Sequence, residues 1–293
     1  MRPRPIALTA LALVAFAANS LLCRAALAHT AIDAASFATV RLLSGALVLW
    51  LIAARRASPA RTGTGTGTRT RMGAGGGDWL SAFALFAYAF AFSFAYVRLP
   101  AAAGALLLFA AVQATMIGWG LAKGERLRAL QVSGLVVACG GLVGLLLPGL
   151  SAPPLAAAVL MVAAGIAWGV YSLRGRGTTS PLAATAGNFL RTVPMALLAS
   201  ASFAHAASLD PAGIGYAVAS GALASGVGYA IWYAALPSLK ATTAATVQLC
   251  VPVVAAAGGI VFLDEPLTPR FVLASVAILG GTALAIARRD AGT

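Results

Sequence analysis

Charged residues are scarce in this chain of 293 residues: they make up 9% of it, and only seven of them are carboxylates. Soluble domains carry about 25% charged residues. Here apolar residues reach 60%, and the mean hydropathy is +0.91. This composition excludes an ordinary soluble domain. The alternation of polar and apolar residues that membrane-spanning strands require is also missing. We therefore expect an all-α membrane protein.

Metal-binding and catalytic patterns are also lacking. Cys23, Cys139 and Cys250 stand singly in apolar runs, without the close spacing of a metal site or a redox pair. His29 and His205 fall between predicted helices. Phosphate-binding loops, nucleophile elbows and zinc-binding helices do not occur. The sequence therefore predicts no enzyme activity, no metal and no cofactor.

Long apolar runs fill most of the chain. Each is long enough to cross a hydrocarbon layer of about 30 Å as an α-helix. Ten are predicted, at residues 6–28, 34–54, 79–98, 101–122, 129–148, 154–173, 182–202, 213–236, 239–263 and 269–287. The first run also resembles a signal peptide, with Ala26-Leu27-Ala28 as a cleavage site. We favour a retained helix, because the second half of the chain holds a counterpart to it.

Basic residues follow the rule that short cytoplasmic loops collect arginine and lysine. With both termini in the cytoplasm, most basic residues fall inside, and only Arg98 and Arg270 fall in outer loops. The net charge of +13 is thus explained by topology and by anionic lipid, so no nucleic-acid partner is expected. Arginine is strongly preferred over lysine, which occurs only at Lys123 and Lys240. We take this preference to indicate a bacterial plasma (inner) membrane.

An internal repeat connects the two halves. LAKGERL at 121–127 is echoed by FLDEPL at 262–267, and Glu125 and Glu265 are 140 residues apart. Upstream, an offset of 150 residues aligns Arg41 with Arg191, and the Gly/Thr-rich loop 57–78 absorbs the difference. The sequence therefore predicts a first five-helix repeat at 1–150 and a second at 151–293. An odd number of helices per repeat forces the second copy to be inverted, which is a transporter architecture.

The two glycine-bearing segments, LAKGERLRALQVSGLVVACGGLVG at 121–144 and FLDEPLTPRFVLASVAILGGTALA at 262–285, resemble the drug/metabolite transporter superfamily and its ten-helix EamA branch. Arg41, Arg191, Trp168 and Pro252 are similar to the family pattern, whereas Val112 replaces the proline expected in the first repeat. The resemblance implies transport of small metabolites, often amino acids, through a cavity lined by helices 1–4 and 6–9. Helices 5 and 10 would be peripheral.

Polar and aromatic side chains within apolar runs are the candidate substrate contacts, because such groups are costly in lipid. The predicted set is Asn19, Arg41, Tyr88, Gln113, Trp168, Tyr171, Arg191, Tyr229, Tyr233 and Gln248. Each also has a structural interpretation, as a helix contact or as part of an interfacial aromatic belt. Arg41 and Arg191 could instead bind neighbouring carbonyls, and Arg24 could reach the membrane surface.

Carboxylates are expected only in loops and at helix ends. Glu125 and Glu265 are predicted to stabilise turns by capping backbone N–H groups near the following helix. Since no carboxylate lies in mid-membrane, we expect transport without tight proton coupling. An exporter of amino acids or related metabolites is the leading hypothesis. A proton-coupled drug or cation extruder remains an alternative, as does a non-transporting partner subunit. Glycines of helices 5 and 10 could then serve as association surfaces, also for a homodimer.

Overall fold

The computed structural model describes residues 3–56, 76–124, 126–147, 152–175, 178–235, 238–239 and 247–286. Its long elements within these ranges are all helices. In chain order they are α1 Pro3–His29, α2 Ala34–Arg56, α3 Trp79–Tyr96, α4 Ala101–Ala122, α5 Ala129–Leu146, α6 Leu155–Arg174, α7 Pro181–Ser202, α8 Pro211–Ala235, α9 Cys250–Leu263 and α10 Pro269–Ile286. A short 3₁₀ turn at Ala204–Ala206 precedes α8.

Nine of these described helices are long and apolar enough to span a membrane. The ninth helix, α9, is shorter, at 14 residues from Cys250 to Leu263. Residues 247–248 are also helical, and a turn at Leu249 separates them from α9. Pro252 explains this break, because its ring clashes with the carbonyl four residues earlier and it has no N–H to donate. Residues 240–246 of the predicted ninth span lie outside the described residues.

The ten helices form two inverted five-helix repeats, α1–α5 and α6–α10, as predicted. The repeats pack across one another: α3 and α4 lie on α6, α2 lies on α7, and α1 lies on α8 and α9. The bundle core is therefore built from both repeats. Because α1 contributes buried residues to this core, including Ala17 and Cys23, it is an integral helix of the bundle.

Helices α5 and α10 pair with each other at the periphery. A Cβ atom on Gly281 would lie 2.5 Å from the Gly134 carbonyl oxygen, and one on Gly141 would lie 2.7 Å from the Ala277 Cβ. Such distances show that only glycine permits this close helix contact. Gly140 and Gly280 have open space instead. Of the glycines predicted to form an association surface, Gly141 and Gly281 instead pack α5 against α10 within the chain.

The two ends of the bundle are distinguished by the acidic residues Glu265 and Asp78. The Glu265 end contains the α1–α2, α3–α4 and α9–α10 connections, and Arg24 and Asp33 lie there. Asp33 caps α2, since its carboxylate accepts the N–H groups of Ala35 and Ser36. The Asp78 end contains the start of α3 and the α6–α7 connection. Most of the Gly/Thr-rich loop, residues 57–75, lies outside the described residues.

Candidate functional site

A π-helical segment interrupts α8 between Ala219 and Val227. Its residues are small, and Ser220, Gly221 and Ser225 are buried against α1 and α2. A Cβ atom on Gly221 would lie 2.1 Å from the Arg41 carbonyl oxygen, so the backbones of α8 and α2 nearly touch. A π-helical turn accommodates an extra residue and thereby re-aims the side chains around it. Ser220, within this segment, contacts Asn19 of α1.

The hydroxyl group of Tyr88 is the centre of a hydrogen-bond network that joins four helices in the middle of the bundle. Arg41 Nη2 donates a hydrogen bond to it at 2.9 Å, and Asn19 Nδ2 donates another at 3.2 Å. Ser220 Oγ in turn donates to Asn19 Oδ1 at 2.6 Å. We call these residues, with the rings of Trp168 and Tyr229 described below, the Tyr88 cluster. The cluster brings together α1, α2 and α3 of the first repeat and α6 and α8 of the second.

Arg41 is the buried charge of this cluster, with only 2% of its surface exposed. Its guanidinium carbon lies 5.1 Å from the centre of the Tyr88 ring and 4.8 Å from that of Phe92. Nη2 is bound to Tyr88, but Nη1 has no hydrogen-bond partner among the described residues. Burying a cation without a counter-charge costs on the order of several kcal/mol. The aromatic rings offset part of this cost through cation–π attraction.

Aromatic rings form one wall of the Tyr88 cluster. The ring of Trp168 lies 4.9 Å from Tyr88, 5.3 Å from Tyr229 and 5.4 Å from Tyr171, measured between ring centres. Phe16 and Phe189 contact the far side of Tyr229, at 5.8 Å and 5.9 Å. The wall therefore continues from α3 through α6 to α8. It presents flat apolar surfaces beside the guanidinium and hydroxyl groups.

Four of the predicted substrate contacts lie outside the Tyr88 cluster. Gln113 lines a small pocket of about 50 Å³ between α4, α5 and α10. Gln248 is half-buried just before the turn that precedes α9. Tyr233 lies one turn beyond Tyr229 and packs against the core. Arg191 donates to the carbonyl oxygens of Gly76 and Gly187, at 2.6 Å and 3.0 Å, near the Asp78 end.

Tyr171 extends the aromatic wall toward α7. Its hydroxyl donates to Thr185 Oγ1 at 3.4 Å. Thr185 is one of three polar residues of α7 that are almost completely buried, together with Asn188 and Thr192. Asn188 Oδ1 accepts the backbone N–H of Asp78, so it fixes the start of α3. Asn188 therefore ties the second repeat to the first, whereas Thr185 joins α7 to α6 within the second repeat.

At the Glu265 end, an ion pair ties α1 to the α9–α10 turn. Arg24 Nε donates to Glu265 Oε1 at 2.9 Å, and Arg24 Nη1 donates to the Tyr96 carbonyl oxygen at 3.1 Å. Glu265 Oε2 accepts the N–H of Ala101 at 2.7 Å. Arg24 thus binds a carboxylate instead of extending alone to the membrane surface. Glu265 does cap a helix, but that helix is α4 and not the α10 that follows it.

A surface cavity of about 270 Å³ opens beside this ion pair. Its wall includes Glu265, Pro266 and Phe271 from the α9–α10 region and Arg98 and Pro100 from the α3–α4 turn. It is lined by groups at the rim of the bundle and contains no residue of the Tyr88 cluster. Glu125, the counterpart of Glu265 in the first repeat, lies outside the described residues.

At the Asp78 end, Asp78 caps α3 and pairs with α6. Its carboxylate accepts the Ser81 N–H at 2.9 Å and an Arg174 Nη2 bond at 2.9 Å. Partial burial raises the pKa of the Asp78 carboxyl, but hydrogen bonds from Ser81 and the charge of Arg174 outweigh this and lower it to about 2. Asp78 is therefore ionised throughout the physiological range.

Ser220 is the member of the Tyr88 cluster that the sequence analysis missed. A serine in an apolar helix usually bonds to its own backbone, so its residue type carries little information. A usable signal does exist in the repeated dipeptide Ser220-Gly221 and Ser225-Gly226. The spacing of five residues matches the hydrogen-bond step of a π-helix.

Comparisons with known proteins agree with this architecture. The model of the EamA-like transporter family matches residues 155–287, in the second half of the chain. The uncharacterized protein PA1977 of Pseudomonas aeruginosa is 54% identical over 289 residues, which cover 98% of this chain and 96% of that protein. One solved crystal structure, described only as that of a protein, shares the fold at a TM-score of 0.65 and 20% identity. The match covers 99% of this chain and 100% of the other.

The family match and the ten-helix repeat architecture point to one assignment. Members of the matched family are membrane transporters and not enzymes. The chain therefore belongs to the EamA-like transporter family, within the drug/metabolite transporter superfamily.

Proposed function

We propose that this transporter exports a small polar or amphipathic metabolite, an amino acid or a related compound, by alternating access around the Tyr88 cluster. The two repeats rock against each other and open the cluster to one side of the membrane at a time. Asn19, Arg41, Tyr88, Trp168 and Tyr229 contact the substrate. Gln113, Tyr171, Arg191, Tyr233 and Gln248 remain predicted contacts.

The observation that carries this proposal is the position of the Tyr88 hydroxyl. It bonds to Arg41 and, through Asn19, to Ser220 in the other repeat. Substrate sites of inverted-repeat transporters lie at the interface between repeats, where motion of one repeat changes the site. Buried polar groups within a membrane-spanning bundle are costly and usually functional. A polar junction between the repeats is therefore well suited to bind a solute.

Transport is proposed to follow the substrate gradient without tight proton coupling. The carboxylates of the described residues all lie at helix ends or in turns: Asp33, Asp78, Asp210, Asp264 and Glu265. Proton-driven transporters usually keep a titratable group inside the membrane. The competing hypothesis, a proton-coupled extruder of drugs or cations, requires such a group or a counter-charge for the cation.

The proposed location is the bacterial plasma membrane, with both chain termini in the cytoplasm. Arginines at the Asp78 end, such as Arg55 and Arg174, support this orientation, because basic residues concentrate on the cytoplasmic side. In this orientation the Glu265 end faces outward. Labelling of single introduced cysteines with a membrane-impermeant reagent in intact cells tests the assignment.

Uptake into proteoliposomes that contain only the purified chain tests the function. The panel consists of labelled amino acids, organic acids and quaternary amines, each with and without an imposed pH gradient. We expect saturable movement of amino or organic acids that does not need the pH gradient. Movement of cations only in the presence of the gradient would establish the extruder instead.

A non-transporting partner subunit is the third hypothesis. The open faces around Gly140 and Gly280 could receive another membrane protein or a second copy of this chain. Purified protein that binds and moves no solute until a second protein is added would favour this hypothesis. A homodimer through the same face remains a prediction, which the mass of the detergent-solubilised protein tests.

A further inference from the structure

We infer that Arg41 recognises the substrate by binding its carboxylate through Nη1, so that the transported compound is a small organic acid whose amino group, where present, is not required. This inference rests on the transport function proposed above, and it names the chemical group that the Tyr88 cluster selects.

The guanidinium charge of Arg41 has no carboxylate to balance it among the described residues. Arg41 is 98% buried, since only 2% of it is exposed, and within the described ranges Nη1 has no hydrogen-bond partner. The ion pairs found among the described residues belong to Arg24 and Arg174, at opposite ends of the bundle. A guanidinium in such surroundings gains strongly from an anion, and its fork matches the two oxygens of a carboxylate.

The Tyr88 hydroxyl is a second donor beside the Arg41 guanidinium. The Tyr88 hydroxyl accepts hydrogen bonds from Arg41 and Asn19, so its own proton is not used in either bond. It has no hydrogen-bond acceptor among the described residues. Because Arg41 Nη2 lies 2.9 Å from Tyr88 Oη, the guanidinium and this O–H group can donate to the same anion. An ammonium group would meet these donors unfavourably.

The aromatic wall beside Tyr88 can receive the rest of the substrate. The aromatic wall of Trp168 and Tyr229 adjoins Tyr88, so an apolar or aromatic body can lie against it while the carboxylate meets Arg41. The described part of the bundle interior offers no carboxylate to pair with an ammonium group. We therefore expect the deaminated acid to be accepted at least as well as the corresponding amino acid.

Four compounds with one carbon skeleton separate these requirements: phenylalanine, 3-phenylpropionate, phenylalaninamide and phenethylamine. Each is tested for uptake by proteoliposomes and for stabilisation of the purified protein against thermal unfolding. Phenylalanine and 3-phenylpropionate should be moved and should stabilise the protein. The amide and the amine, which lack a carboxylate, should do neither.

Arg41→Lys keeps the charge but removes the fork, and Arg55→Lys makes the same chemical change at an exposed position of the same helix. A lost charge-assisted hydrogen bond corresponds to a decrease of about tenfold to hundredfold. We expect that decrease in kcat/KM for 3-phenylpropionate with Arg41→Lys, and a change of less than about twofold with Arg55→Lys.

The outcomes distinguish the inference from the transport proposal. If the amide and the amine are moved at the same rate as the acids, the transport proposal stands and recognition of a carboxylate is refuted. If 3-phenylpropionate stabilises wild type but not Arg41→Lys and nothing is moved, the binding site stands and transport is refuted. If no compound of these four is bound or moved, the inference is overturned, and the broader panel of amino acids, organic acids and quaternary amines decides the transport proposal. Comparing the four compounds on the wild-type protein tests the inference even if Arg41→Lys does not fold.

Discussion

Tyr88 is the residue on which the central contacts converge. Its ring contacts Trp168 and Arg41, and its hydroxyl accepts the N–H groups of Arg41 and Asn19. Removing the hydroxyl leaves two buried donors without an acceptor, while the ring and most of the packing remain. The hydroxyl can therefore be examined separately from the aromatic surface.

Tyr88→Phe is predicted to lower the free energy of unfolding by about 1–3 kcal/mol, the usual cost of leaving buried polar groups unsatisfied. Uptake of transported acids should fall as well, because Arg41 loses the group that positions it. Thermal unfolding in detergent and proteoliposome uptake are the two measurements. Tyr216→Phe, at a more exposed tyrosine of α8, is the matched control. Equal midpoints for the two variants would contradict the structural role of the hydroxyl.

Much of the residue-scale information was accessible from the sequence. Asn19, Arg41 and Tyr88 stand out because polar groups are rare in apolar runs, and the structure shows that they meet. Their pairing could not be predicted, since it depends on how α1, α2 and α3 pack. The same limit applies to Glu265, where the turn was predictable but the capped helix, α4, was not.

At the scale of elements, the π-helical segment of α8 determines how closely the repeats approach. Gly221 lies against the backbone of α2, and Gly228 lies near Ala15 of α1. Hydropathy predicted this helix as one span at 213–236, close to the observed Pro211–Ala235. The change in hydrogen-bond step was not predicted, because it leaves hydropathy unchanged.

Gly221→Ala is predicted to destabilise the protein by about 1–3 kcal/mol, as overpacking usually does. Its Cβ atom would collide with the Arg41 carbonyl oxygen and Ser44 Oγ, each 2.1 Å away. Gly215→Ala in the same helix meets only open space and should be neutral or stabilising by up to about 1 kcal/mol. Unfolding midpoints of the two variants provide the comparison. A stable Gly221→Ala protein would mean that α2 and α8 can separate at little cost.

At the scale of the whole molecule, acidic groups of the described residues are confined to the two ends of the bundle. Composition and charge distribution predicted this arrangement, along with the all-helical fold and the repeat. The partners of the acidic groups were not predictable, since they come from distant parts of the chain. Asp78 and Arg174 are 96 residues apart, and Arg24 and Glu265 are 241 residues apart.

Asp78 gives a pH-dependent test of the first of these pairs. Its folded-state pKa, about 2, lies below the ordinary value of 3.8, so the ionised carboxylate stabilises the fold above about pH 4. This contribution is lost as the pH falls through about 2. The difference in unfolding midpoint between wild type and Asp78→Asn should be constant from about pH 5 to 8 and shrink below about pH 4. A difference that changes between pH 6 and 8 would contradict the assignment.

Arg24 and Arg174 occupy equivalent places in the two repeats, yet their contacts differ. Arg24 joins the α9–α10 turn and the end of α3, whereas Arg174 joins the start of α3. Two copies of one fold thus hold unlike conformations within a single molecule. If the repeats exchange conformations in the proposed alternating access, Arg174 is predicted to approach the connection between α4 and α5, the position of Glu125 in the sequence. Distance measurements between labels at positions 174 and 125 with substrate present test this prediction: a shortened distance would mean that the contact of Arg24 with Glu265 already outlines its mirror image in the other repeat.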